Sequence, residues 1–158
     1  MRIRILYLLF FILIFCNCNG QQVEKTEAGN TKEHTFQMVS VPSVITEPEE
    51  RAAYLVKHYW DKFDFTDTTL IHFPEITEQA TSNYIDMMKY VPAEVASSSI
   101  KDMMNKASAD STMFACFAGL YEKYLYDPNS PMRDESLYIY VLDAVLEAPF
   151  LDEVSKIR

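Results

Sequence analysis

The residues whose types and spacing could do chemistry gather between positions 44 and 67, a stretch that holds the only tryptophan of the chain. The set comprises His58, Trp60, Asp61, Asp64 and Asp67. A calcium loop would need several oxygen ligands around a tight glycine turn, and this stretch contains no glycine. Helix capping and turn formation are therefore the roles that we favour for the aspartates.

Histidine spacing offers no support for a transition-metal site. None of the three histidines, His34, His58 and His72, forms an i, i+4 pair or a His-Glu-x-x-His motif. We favour ordinary surface or partly buried histidines. The alternative is that folding brings His58 and His72 together as a pair. The methionine pairs at 87–88 and 103–104 fall on expected helix core faces, where methionine fills gaps between helices. We expect neither a metal nor another cofactor.

The sequence also contains no recognisable catalytic motif. It has no Gly-x-Ser-x-Gly elbow and no glycine-rich phosphate loop. Cys116 lies in the apolar run 113–118, which predicts a buried and inert thiol. We therefore expect that the protein is not an enzyme and has no catalytic residues.

Two functional alternatives remain open at this point. One is thiol-disulfide exchange through Cys116. The other is the binding of a small molecule or peptide in an aromatic groove, because exposed aromatic clusters mark binding sites. The groove would be lined by His58, Trp60, Phe63 and Phe65. We favour instead the core of the bundle for Trp60 and Phe63, so the groove is the weaker alternative.

The first residues of the chain predict an export signal. Arg2 and Arg4 precede an unbroken apolar run over positions 5–15, which is too short to span a bilayer comfortably. A buried core helix is the alternative, but two arginines at the extreme N-terminus favour a signal. We expect an exported protein that faces the periplasm or the cell surface.

The end of this run resembles the end of a bacterial lipoprotein signal, where a cysteine becomes the lipidated first residue of the mature chain. Two cysteines qualify, Cys16 and Cys18. We favour Cys18, because the smaller Asn17 precedes it, whereas the bulky Phe15 precedes Cys16. Simple secretory cleavage without a lipid is the remaining interpretation.

The charge of the chain limits the partners that it can bind. Its formal charge is −9, and removing Arg2 and Arg4 with the signal makes it −11, since residues 1–17 hold no acidic group. An acidic chain without a basic cluster repels polyphosphate, so we expect no nucleic-acid partner. The same charge disfavours contact with anionic lipid, which leaves the N-terminal lipid as the membrane link. The oligomeric state stays undetermined.

Composition predicts a single all-α domain behind an N-terminal tether. Half of the 158 residues are hydrophobic (49%) and only three are glycine, which suits helices better than hairpin-rich sheets. We place the signal at residues 1–18, a polar tether at 19–43 and a helical bundle at 44–158. The tether ends in a more apolar segment from Phe36 to Val44, which we expect to pack as an extended strap.

The first predicted helix has a clear start signal. Thr46 is placed to cap it, Glu49 would complete a capping box, and Pro48 is tolerated in the first turn. Apolar residues then recur at three- and four-residue spacing through Phe63, which predicts one buried face.

Apolar periodicity predicts five further helices, for a bundle of five or six. The second begins near Pro74, and the third near Ala93. Asp110 or Ser108 caps the fourth, which is strongly apolar and expected to be central. The fifth, 132–148, is apolar on nearly every side and is expected to be the buried spine, and a short sixth starts at position 150.

The run EPEERAAYLVKHYWDKFDFTDT, at positions 47–68, continues into helices that end in APFLDEVSKIR. Residues 36–158 resemble a domain of unknown function from exported proteins of Bacteroides and relatives. The most specific part of this resemblance is Tyr59-Trp60-Asp61 together with Phe63-Asp64-Phe65. There the domain often precedes a thioredoxin-like domain in lipoproteins described as thiol-disulfide interchange proteins. No Cys-x-x-Cys motif occurs in this sequence. The resemblance therefore implies a helical module without the thioredoxin part, with a thioredoxin-like protein as partner.

Metabolic labelling with a palmitate analogue tests the predicted anchor. We expect native protein and a Cys16→Ser variant to be labelled, and a Cys18→Ser variant to lose the label, because Cys18 would carry the lipid. Labelling lost only in Cys16→Ser would move the site to Cys16. An unlabelled native protein would end the anchor hypothesis.

Overall fold

The computed structural model of the protein describes residues 35–149, where the chain forms five α-helices and no β-strand. This confirms the predicted all-α class for that part of the chain. The helices are α1 (Pro48–His58), α2 (Thr77–Met88), α3 (Ala93–Ala107), α4 (Ser111–Tyr121) and α5 (Glu135–Glu147). A 3-10 helix, Thr68–His72, precedes α2, and a π-helical turn, Glu122–Tyr126, extends α4. The predicted signal, both candidate lipidation cysteines, His34 and the short sixth helix lie outside the described residues.

None of the described helices is both long enough and apolar enough to cross a membrane.

Helix α1 begins at the predicted place but without the predicted cap. Its N-cap is Glu47, and no side chain hydrogen-bonds to the free N–H groups there. The capping box of Thr46 and Glu49 was therefore a wrong prediction. Pro48 is the first helical residue, so Thr46 stands one position too early to cap and Glu49 one position too early to reciprocate.

Aspartate caps define the starts of α4 and α5. Asp110 accepts hydrogen bonds from the N–H groups of Thr112 and Met113 at 2.8 and 3.0 Å, as predicted. Asp134 accepts the two corresponding bonds in α5, at 2.9 and 3.1 Å. Because Asp134 is the cap, α5 begins at Glu135, three residues later than the sequence pattern suggests.

Prolines set the boundaries of α2 and α3. Pro74 lies in a turn, and α2 begins at Thr77, later than expected. Pro92 then separates the two helices in an extended conformation, with φ −59° and ψ 151°, and α3 starts at the next residue. A proline ring disfavours the helical conformation of the preceding residue, which ends the turn after α2.

Helix α4 is central, as predicted. Met113, Phe117, Tyr121 and Leu125 are each completely buried, and they follow one another at intervals of four. A strict α-helix would rotate Leu125 away from this line. The π-helical turn contains more residues than an α-turn, as the i→i+5 bond from the Asp127 N–H to the Glu122 carbonyl shows, so it keeps Leu125 in register.

Methionine fills the space between the helices. Met88, Met103 and Met104 are buried, which confirms the core-packing interpretation for three of the four members of the methionine pairs. Met113, which belongs to neither pair, is buried as well. The fourth member, Met87, is partly buried against the same core. The Tyr121 hydroxyl donates to the sulfur of Met103 at 3.7 Å.

Helix α5 does not form the buried spine that its composition suggests. Val141 and Ala144 face the core, but Ile139, Leu142 and Leu146 are 55%, 42% and 47% exposed. The prediction fails because the other helices pack against one side of α5, mainly α3, and no described element covers the opposite side.

Phe117→Ala tests the central position of α4. Phe117 is completely buried among aromatic rings, so we expect the free energy of unfolding to fall by about 3–5 kcal/mol, measured by urea denaturation. The matched control is Tyr90→Ala at an exposed position, which should change it by less than about 0.5 kcal/mol. A loss below about 1 kcal/mol for Phe117→Ala would contradict the described core.

Candidate functional site

Seven aromatic rings pack together where the strap, the end of α1, α2 and α4 meet. This aromatic cluster comprises Phe36, Tyr59, Trp60, Phe63, Phe65, Tyr84 and Phe117. Trp60 lies at its centre, with ring centroids 5.3 Å from both Phe63 and Phe117. Both contacts are edge-to-face, the arrangement that the quadrupoles of aromatic rings favour.

Two consecutive side chains at the exit of α1 enter the core. The helix ends at His58, and the chain continues in tight turns, with the Asp61 N–H bonded to the His58 carbonyl and the Phe63 N–H to that of Trp60. Tyr59 itself keeps helical backbone angles, with φ −54° and ψ −42°. Both Tyr59 and Trp60 are almost completely buried.

The residues of the predicted groove do not form an open groove. Trp60 is 3% exposed, Phe65 is 7% exposed, and Phe63 is partly buried against them. Phe36 of the strap covers Tyr59 and Trp60, at centroid distances of 4.8 and 5.4 Å. The aromatic rings fill the space between one another, and the side chain of His58 is 42% exposed.

The tyrosines of the aromatic cluster stay neutral at physiological pH. Burial raises the pKa of Tyr59 to about 12, although a side-chain hydrogen bond with Asn83 opposes the rise. Burial also raises the pKa of Tyr84 well above its usual value, and the nearby Tyr121 adds to this effect. Neither phenol is suited to general acid-base work near pH 7.

One polar atom of the aromatic cluster has no partner. The indole N–H of Trp60 is buried and forms no hydrogen bond within the described residues. A buried donor without an acceptor costs about 1–3 kcal/mol. The apolar contacts of seven packed rings must outweigh that cost.

His58 belongs to a surface charge network rather than to a catalytic arrangement. Its Nδ1 lies 2.7 Å from a carboxylate oxygen of Asp61, and its ring packs against Tyr54 in a tilted arrangement. Lys106 of α3 binds the other Asp61 oxygen at 3.2 Å and Asp102 at 2.8 Å. Burial alone would raise the pKa of Asp61, but the hydrogen bonds from His58 and Lys106 outweigh it and lower the pKa. The network ties the end of α1 to α3.

The other two aspartates stabilise turns, as the sequence suggests. Asp64 accepts hydrogen bonds from the N–H of Thr66 at 2.9 Å and from its hydroxyl at 2.6 Å. Asp67 accepts from the N–H of Thr69 at 3.1 Å and thereby caps the 3-10 helix. Neither is arranged with other ligands around a common point, since no group of three His, Cys, Asp or Glu side chains between residues 35 and 149 is close enough to hold a metal ion.

Cys116 lies half-buried on α4. Burial raises the pKa of its thiol, and the negative charge of Glu78 raises it further. The thiolate is the nucleophile in thiol chemistry, so both effects make Cys116 less reactive than an ordinary cysteine. The structure thus favours the inert interpretation of this residue.

A polar link that sequence reasoning missed joins α2 to the π-helical turn. The carboxylate of Glu78 accepts hydrogen bonds from the ammonium of Lys123 and, at 2.8 Å, from the hydroxyl of Tyr124. The hydrogen bond from Lys123, followed by that from Tyr124, lowers the pKa of Glu78. We call this link the Glu78 latch. No local pattern could have predicted it, because its partners lie 45 and 46 positions apart.

From the Glu78 latch we expect part of the loss of folding stability at low pH. Because the pKa of Glu78 is lower in the folded chain than its ordinary value of 4.5, its stabilising effect is complete above that value and is lost as the pH falls through the folded value. We expect Lys123→Met to reduce the loss of stability between about pH 5 and pH 3, measured by urea denaturation at each pH. Lys57→Met, which removes an exposed charge without an ion pair in the described structure, is the control. Equal pH profiles for the two variants would contradict the latch.

Comparison with known proteins identifies the family. The chain belongs to the family described as "Domain of unknown function (DUF5106)", whose model matches residues 16–158. A solved structure, that of a thioredoxin-like protein from Bacteroides caccae ATCC 43185, is 46% identical and superposes with a TM-score of 0.75. The match covers 79% of this chain and 45% of that one, so the chain spans less than half the length of this relative. No curated protein sequence matches the chain.

Proposed function

We propose that this member of the DUF5106 family is an exported, non-catalytic helical module that binds a thioredoxin-like protein. The observation that carries the proposal is the likeness to the Bacteroides caccae protein. At 46% identity the two share a fold, and in that thioredoxin-like protein the shared part is only 45% of the chain. A module that forms part of a longer thioredoxin-like protein in one case is well suited to bind such a protein in another.

The absence of poised reactive groups in residues 35–149 supports a binding role over a catalytic one. The pKa of Cys116 is raised, and the rings of the aromatic cluster are packed into the core. The carboxylate of Asp61 is engaged by His58 and Lys106. Each of these groups has a structural role that accounts for its position.

Thiol-disulfide exchange through Cys116 is the weaker alternative. Exchange proceeds by attack of a thiolate, and both burial and Glu78 disfavour the thiolate of Cys116. Cys116 is also the only cysteine among the described residues, so no second thiol there can resolve a mixed disulfide. No contact among residues 35–149 favours this alternative.

Export and lipid anchoring complete the proposal. They are inferred from the arginine-led apolar run at the N-terminus and from Cys18, with Cys16 as the alternative. An anchor would hold the module at one membrane surface and raise its effective concentration toward a partner held at the same surface. A weak contact would then be sufficient for association.

A binding and activity experiment tests the proposed function. The full chain in mild detergent is titrated with the part of the Bacteroides caccae protein outside the match, after circular dichroism has shown that this fragment is folded. We expect a 1:1 complex with a Kd in the micromolar range, about −8 kcal/mol or weaker, by isothermal titration calorimetry. In an insulin-reduction assay, the chain and its Cys116→Ser variant should both remain at background.

Two results would contradict the proposal. One is the absence of binding at the highest soluble concentration. The other is insulin reduction by the native chain that Cys116→Ser abolishes, since this would make the protein an enzyme.

A further inference from the structure

The outer side of α5 carries a row of exposed aliphatic side chains. Ile139, Leu142 and Leu146, here called the α5 stripe, recur at i, i+3 and i+7, so they lie on one face of the helix. Each is about half exposed, while Val141 and Ala144 on the opposite side are buried in the core. A helix that is apolar on both sides is normally covered on both sides.

Exposed apolar groups of the described chain are concentrated at this helix. Seven large hydrophobic side chains are exposed among residues 35–149, and three of them form the α5 stripe. A fourth, Tyr126, stacks on Tyr138 of α5 with a centroid distance of 5.1 Å. The remaining three are scattered, with Met38 and Val44 near the N-terminal end and Tyr90 after α2. Single exposed hydrophobic residues are normal, whereas a row on one helix face marks an interaction surface.

The charges beside the α5 stripe restrict what can cover it. All charged residues of α5 are acidic: Glu135, Asp143 and Glu147. Arg133 pairs with Glu135, and Lys101 pairs with Glu147 at 3.0 Å. Asp143 forms no ion pair within the described residues, although its charge contributes to the raised pKa of Lys101. The surface therefore suits a partner that presents an apolar strip with at least one basic residue at its edge.

A second copy of the chain fits this surface poorly. Two copies would bring the same acidic residues together, in a chain whose formal charge is −9. Stable complexes of free proteins also bury about 800 Å² per partner, and three half-exposed side chains provide only a small part of that area. A contact between parts of one chain, or between proteins held at one membrane, needs less area because the effective concentration is high.

We propose that the α5 stripe is the surface on which the thioredoxin-like partner docks. This inference rests on the proposed function and assigns it a site. The same fold occurs in the Bacteroides caccae protein within a chain more than twice as long as the matched part, so more than half of that thioredoxin-like chain lies outside the shared module. The docking contact consists of Leu142 and Leu146 at its centre, Ile139 at one end and Asp143 facing a basic residue of the partner.

The test compares two double variants of the full chain. Leu142→Asp with Leu146→Asp places charge in the α5 stripe, and Val44→Asp with Tyr90→Asp makes the same type of change at exposed sites elsewhere. Both are titrated with the same Bacteroides caccae fragment. We expect the Kd to rise at least tenfold for the stripe variant and to change less than twofold for the control. Ile139→Gln, a milder change, should weaken binding in the same direction.

Folding is checked separately for each variant. Because the substituted side chains point away from the core, thermal unfolding followed by circular dichroism should be the same for both double variants and the native chain within a few degrees. If the stripe variant does not fold, Ile139→Gln alone decides, and an unchanged Kd for it would overturn the assignment.

The remaining outcomes separate the docking surface from the proposed function. Native binding that the stripe variant retains would overturn the surface and leave the proposed function intact. If the native chain does not bind, the proposed function and the docking surface are both overturned. Two measurements then identify what covers the stripe instead. Self-association in sedimentation that the stripe variant loses would indicate a second copy. Rapid disulfide formation between Leu142→Cys and Ile157→Cys, in a Cys116→Ser background, would indicate residues 150–158.

Discussion

The packing of Trp60 against its neighbouring rings is the interaction on which the rest of this structure depends. Its contacts come from the strap, the segment after α1, α2 and α4, which are far apart in the sequence. Aromatic rings of this size bury large areas and prefer defined edge-to-face geometries, so they specify how these segments approach one another. The unpaired indole N–H is tolerated because the packing around it contributes more than one lost hydrogen bond. The members of the aromatic cluster in the stretch 44–67 thus belong to the core, whereas the histidine and aspartates of this stretch stay at the surface.

The polar contacts of the surface add orientation rather than large amounts of stability. The network of His58, Asp61 and Lys106 and the Glu78 latch each join segments more than 40 positions apart. Their members are partly exposed, and exposed ion pairs contribute little because water screens them. Their effect is to favour one arrangement of α1 on α3 and of α2 on the π-helical turn, around a core that burial already stabilises.

The proposed docking surface is the α5 stripe, the row of aliphatic side chains that the core of residues 35–149 leaves exposed. Outside α5, the exposed large hydrophobic residues of the described chain are few and scattered. This DUF5106 module combines an aromatic core with a row of exposed aliphatic side chains on its last described helix. Under the proposed function, the chemistry would belong to the thioredoxin-like partner, which fits the raised pKa of Cys116.

Local physical rules in the sequence determined the helices. Apolar spacing of three and four, the Asp110 cap and the prolines before α2 and α3 each act within a few residues, so they can be identified along the chain. The same rules predicted the turn roles of Asp64 and Asp67 and the central position of α4. They also favoured the core for Trp60 and Phe63 over an exposed groove, which the structure confirms, but they could not show which rings complete the packing. That packing depends on Phe36, Tyr84 and Phe117 arriving from distant segments. The missing cover on α5 and the pairing of Glu78 with Lys123 were likewise decided only by tertiary structure, because burial and long-range contacts are properties of how the helices meet.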